Sequence, residues 1–139
     1  MYTYYVRKVE NVVDGDTIDV LIDLGFDILF SSRVRLAGID TPESRTSDKA
    51  EKVLGLESKE YLKKFLKDAK SVVIKTEKMD SSEKYGRILG WIYVNEDTVS
   101  VNDHMINDGY AWGYLGDTKV KDFAVLAQQR EKSKNARTK

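Results

Sequence analysis

Three short clusters hold the residues with chemical reach. They are Val13-Asp14-Gly15-Asp16-Thr17, the run from Arg33 to Glu43 (Arg-Val-Arg-Leu-Ala-Gly-Ile-Asp-Thr-Pro-Glu), and Lys84-Tyr85-Gly86-Arg87. Asp16, Asp40 and Glu43 are acidic groups beside turns. Hard oxygen donors of this kind suit calcium or magnesium. Pro42, the only proline, holds Thr41 extended, so the Thr41 carbonyl could face the same cation. Arg35 and Arg87 are guanidiniums, which bind phosphate oxygens at two points and stay charged at any working pH. Carboxylates, a hard cation and two arginines make a site that hydrolyses phosphodiesters.

Taken singly, each cluster has a plainer reading. Asp-Gly is a hairpin turn, Asp-Thr-Pro-Glu a loop or helix entry, and Tyr-Gly-Arg a turn with a surface charge. Asp14 either supports the metal site or merely closes its turn. Asp19 and Asp23 alternate with an apolar face and read as solvent-facing. His104 stands apart from every acidic cluster and reads as structural or surface.

The elements that must position these residues follow from periodicity. Ile18, Val20, Ile22 and Leu24 alternate with Asp19, Leu21 and Asp23, which is strand period. Tyr2 to Val13 precedes them as a strand, joined through Asp14-Gly15. Further strands are expected from about Ile28 to Ile39, from Ser71 to Glu77 and from Gly86 to Val94. A helix is expected over about Leu54 to Ala69, with Tyr61, Leu62, Phe65, Leu66 and Ala69 on its apolar face. A short helix follows Ser100 and stops at Gly109. A last helix starts near Asp117 or Thr118, with Val120, Phe123, Ala124 and Ala127 as its stripe. Five short strands with a helix inserted suggest a small barrel of OB type, which leaves no open sheet edge.

Composition bounds the rest. The 139 residues suit a single domain, and 23 Lys+Arg balance 23 Asp+Glu. Zero net charge argues against a general clamp on nucleic acid and predicts weak non-specific affinity with a shallow salt dependence. The absence of cysteine excludes disulfides, thiolate metal sites and a cysteine nucleophile. One histidine excludes any site that needs two. No apolar run approaches a membrane span of ~20 residues. No signal peptide is visible, so the chain as written reads as cytoplasmic (or phage- or plasmid-encoded), and as secreted if a leader has been removed. Residues 130–139 hold five cations, Arg130, Lys132, Lys134, Arg137 and Lys139, against Glu131, and read as a frayed, solvated helix end.

The three clusters, in this order and spacing, resemble the staphylococcal nuclease (thermonuclease) family over about residues 8 to 130. The resemblance implies a predominantly β, α+β fold: a five-stranded OB-fold barrel with three α-helices, as one domain over 1–139. It also implies a calcium-dependent nuclease acting on DNA and RNA as a monomer, with 3′-phosphate products. By matching position, Asp16 and Asp40 would ligate calcium together with the Thr41 carbonyl. Glu43 would be the general base, and Arg35 and Arg87 would bind the scissile phosphate. Lys84 and Tyr85 would contact a neighbouring phosphate, and Tyr114 a substrate base. The competing reading is a nuclease-like barrel that binds nucleic acid or a protein partner without cutting. The presence of Asp16, Arg35, Asp40, Glu43 and Arg87 together favours the enzyme.

Overall fold

The structure, a computed structural model, describes residues 2–76, 88–114 and 122–137. Strands β1 (Tyr2–Asp14), β2 (Thr17–Asp23), β3 (Leu29–Leu36), β5 (Val72–Thr76) and β6 (Ile88–Val94) close into a barrel in the order β1-β2-β3-β6-β5. All neighbours are antiparallel except β3 and β6, which are parallel. Strand β4 (Ile39–Asp40) pairs separately with β7 (Trp112–Gly113). Helices α1 (Lys49–Lys67), α2 (Val101–Asn107) and α3 (Phe123–Arg137) complete the fold. The five-stranded barrel with three helices agrees with the architecture expected from the sequence. No helix among the described residues is long and apolar enough to cross a membrane.

Closure depends on β1. It pairs with β5 through Tyr2–Tyr5 and with β2 through Tyr5–Asp14, and its register against β2 shifts three times. Each irregularity bends the strand and raises its twist, so one long strand can serve both edges. Along β2 the expected alternation holds. Ile18, Val20 and Ile22 are buried, while Asp19, Leu21 and Asp23 are partly exposed. Leu24 lies past the strand end and is exposed. The barrel core joins these residues to Val34, Leu36, Ile74 and Ile92, and α1 adds Leu62 and Leu66.

Helix boundaries differ from the expectation where a side-chain cap sets them. Helix α1 starts a turn earlier than 54 because the Asp48 side chain accepts from the Ala50 and Glu51 N–H groups. Ser100 caps α2 as expected, accepting from Asp103 N–H, and Gly109 ends it with φ +81°. The expected start of the last helix at 117 or 118 lies outside the described residues. Its buried positions are Leu126 and Arg130, with Phe123 partly covered; Ala124 and Ala127 are exposed. The helix runs on through Arg137, and Arg130, expected in a solvated tail, is buried.

Candidate active site

The β1–β2 turn carries the first acid. Asp14 pairs with Thr17, so the turn residues are Gly15 and Asp16, one position beyond the expected Asp14-Gly15. Neither residue takes positive φ. The glycine is required for space instead: a Cβ there would stand 2.9 Å from Ser58 Cβ and 3.2 Å from Thr41 Oγ1. Helix α1 and the Thr41 loop therefore both press on the turn that presents Asp16.

Strand β3 supplies Arg35, and the chain then turns through Ala37-Gly38 into β4. Strand β3 ends at Leu36, short of the expected Ile39. Gly38 takes φ +76°, and Ile39–Asp40 leaves the barrel to pair with Trp112–Gly113. The turn folds Asp40 back over Arg35. Buried Asn102 of α2 fixes it, donating to the Ala37 and Gly90 carbonyls and accepting from Ile92 N–H. Asn102 carried no signal in the sequence, since a lone Asn in a helix is ordinarily surface.

The result is a convergence on one guanidinium. Arg35 Nη1 lies 3.4 Å from Asp16 Oδ2, and Nη2 donates to Asp40 Oδ1 at 3.4 Å. Nη1 also donates to the Leu36 carbonyl at 3.1 Å. Arg35 and Asp40 are buried, at 7% and 5% exposure. Thr17 Oγ1 donates to Asp16 Oδ1 at 2.9 Å. A cleft of about 270 Å³ opens beside this group, walled by Asp14, Asp16, Arg35, Asp40, Thr41 and Glu43 among others. Burial, and after it the neighbouring Asp16 carboxylate, push Asp14 above the ordinary carboxylate range.

Glu43 stands exposed on the cleft wall. Its loop is held by α1: Glu43 N–H donates to Glu51 Oε2 at 3.1 Å, and Gly55 packs directly against the Glu43–Ser44 peptide. Arg45 also lines the cleft, a cation without a sequence signal because it lies outside the three clusters.

The site is therefore assembled from Asp16, Arg35, Asp40, Thr41 and Glu43. Lys84, Tyr85 and Arg87 lie outside the described residues. Tyr114 does not wall the cleft. Its N–H donates to the Gly38 carbonyl, placing it beyond the Ile39 end of the β4–β7 pair. His104 is structural, its Nε2 2.9 Å from Asp97 Oδ2 and its ring 5.3 Å from Phe65.

The donor set fits a hard cation. It offers the Asp16 and Asp40 carboxylates, with Thr41 on the same cleft wall, and Thr41 Oγ1 is buried without a hydrogen-bond partner among the described residues. Among those residues no three acidic or imidazole side chains are gathered to hold a metal by themselves. Two carboxylates and a carbonyl would leave coordination positions for water and for substrate oxygen.

Comparison with known proteins decides the family. The staphylococcal nuclease homologue family matches residues 33–139. The chain belongs to the staphylococcal nuclease homologue family. It is 28% identical to an uncharacterised protein of Methanocaldococcus jannaschii, covering 96% of this chain and 70% of that one. Protein ParB of Escherichia coli is 31% identical, over 89% of this chain and 66% of its own length. Endonuclease YncB of Bacillus subtilis is 30% identical, over 89% of this chain and 56% of its own. The chain thus spans little more than half of the endonuclease and about two thirds of ParB. Membership of this nuclease family agrees with the resemblance carried by the three clusters.

Proposed function

We propose that this domain is a calcium-dependent nuclease that hydrolyses phosphodiester bonds in DNA and RNA as a monomer, leaving 3′-phosphates. The observation that carries the reading is the Asp16–Arg35–Asp40 convergence on a cleft that Glu43 also walls. The buried guanidinium of Arg35 faces an open cleft whose wall also carries a third acid, Glu43.

In this reading Asp16, Asp40 and the Thr41 carbonyl hold the calcium ion. Bound there, calcium supplies Lewis-acid charge and offsets repulsion between the substrate phosphate and the carboxylates. Arg35 presents its fork to the phosphate, where it binds most strongly as negative charge builds up. Its bonds to Leu36 and Asp40 fix the plane of that fork in advance. Glu43 accepts a proton from the attacking water. The water oxygen bonds to phosphorus, the bond from phosphorus to the 5′ oxygen breaks, and that oxygen takes a proton from solvent. Arg87 supplies the second guanidinium, with Lys84 and Tyr85 on the next phosphate and Tyr114 near a base, as the family resemblance implies.

Plasmid and RNA digestion with calcium, with chelator, and with the Arg35→Ala and Arg87→Ala variants tests the proposal. Activity should require calcium and fall about 10²-fold or more in either variant. Full activity in chelator contradicts it. Tight binding with no turnover over hours in calcium would favour the non-cutting module instead.

A further inference from the structure

The neutral total conceals a segregation of charge. A second groove, about 550 Å³, runs between β1 and the C-terminal half of α1. Its walls include Arg7, Lys8, Lys63, Lys67 and Lys70, against Glu10. All five cations are exposed. Arg7 lies 3.8 Å from Asp23, while Lys8, Lys63, Lys67 and Lys70 make no ion pair among the described residues. Such crowding repels itself unless an anion lies across it.

The groove and the cleft adjoin along β1. The groove's β1 wall reaches Val12, and the cleft wall begins at Val13. On α1, Lys59, Lys63 and Lys67 recur every four residues and so share one helix face. Lys59, the first of them, follows Ser58, which packs against the β1–β2 turn at Gly15. Lysines thus lead from the edge of the cleft to the far end of the groove. From Asp14 back to Lys8 the strand covers about 20 Å, room for several nucleotides, and OB folds hold roughly 4–16 nucleotides of single strand.

We infer that the β1–α1 groove is a phosphate-backbone track that holds single-stranded nucleic acid outside the cleft. It engages the strand without reading sequence, because four of its five cations are flexible lysines that meet phosphates as point charges. The inference rests on the nuclease reading for its substrate class. Its benefit falls on long substrates, and a dinucleotide cannot reach it.

The test measures binding of fluorescent dT16 by anisotropy in chelator, where nothing need be cut, and cleavage of the dinucleotide TpT in calcium. The double reversal Lys63→Glu/Lys67→Glu is compared with Lys132→Glu/Lys134→Glu, an equal charge change on exposed positions of α3. The groove variant should bind dT16 about tenfold more weakly, and its salt slope should fall by about 1.4, two single-strand phosphate contacts. Its TpT cleavage should match the parent, and a cooperative melting transition should show that it stays folded. No loss in the groove variant, equal loss in the α3 variant, or no dT16 binding by the parent overturns the inference. Failure of every variant to cut TpT would instead count against the nuclease reading and leave the binding comparison decisive for the groove.

Discussion

A methyl group on Gly55 would stand 2.4 Å from the carbonyl oxygen of Glu43. Helix and loop meet there backbone to backbone, and the loop carries the proposed general base. Gly55→Ala in an unconstrained helix would stabilise by about 0.5–1 kcal/mol. Here overlap outweighs propensity, because the atom that must move is main chain. The variant should be less stable by about 1–3 kcal/mol. It should also lose about 10²-fold in turnover through displaced Glu43. Melting temperature and single-turnover cleavage check the two parts separately.

Lysine should not substitute for Arg35. One fork reaches Asp16, Asp40 and the Leu36 carbonyl together, and an ammonium offers no planar equivalent. Arg35→Lys should therefore lose nearly as much activity as Arg35→Ala, about 10²-fold. Recovery of most activity by lysine would reduce Arg35 to a point charge.

Calcium should raise the melting temperature through Asp16 and Asp40. At a concentration about 100 times its dissociation constant the gain is about 2.7 kcal/mol. Asp16→Asn and Asp40→Asn should each remove most of it. A calcium shift that survives both substitutions places the ion elsewhere.

Arg130 ties the three-helix side together. It donates from Nε to the Gly109 carbonyl at 3.1 Å and from Nη2 to Ser58 Oγ at 3.2 Å, meets Glu57 at 3.2 Å, and lies over the Tyr110 ring at 4.1 Å. Removing it takes that donor from the carbonyl of buried Gly109. Arg130→Ala should cost about 1–3 kcal/mol in urea unfolding, while a truly solvated tail residue would cost nearly nothing.

That residue also marks how far the sequence could be read. The barrel was legible because β2 alternates cleanly, and because Asp16, Arg35, Asp40 and Glu43 lie close to turns in a recognisable order. Arg130 was not, since burial of a cation depends on Gly109, Ser58 and Tyr110, which are 20 to 72 residues away in the chain. Strand β4 was hidden for a similar reason: its partner is Trp112–Gly113, and two residues give no period. Gly15 read as a turn former, whereas its neighbours Ser58 and Thr41 make it a spacer.

Asp19 gives the clearest pH signature. Its hydrogen bond from Arg33, at 2.8 Å, holds it below the ordinary carboxylate range. A depressed folded value means the stabilisation is complete above the unfolded value and is lost as pH falls through the folded one. Asp19→Asn should cost about 0.2–1 kcal/mol at pH 7, as for a surface pair, and the two proteins should converge in acid. Denaturant titrations at pH 7 and at low pH measure the difference.

The most direct test of the central claim is mass spectrometry of the fragments from one single-stranded DNA oligonucleotide. The parent protein in calcium should yield 3′-phosphate and 5′-hydroxyl ends. Chelator should abolish them, and Glu43→Gln should slow their appearance about 10²-fold or more. Fragments with 3′-hydroxyl ends, or cleavage indifferent to both chelator and Glu43→Gln, would contradict it.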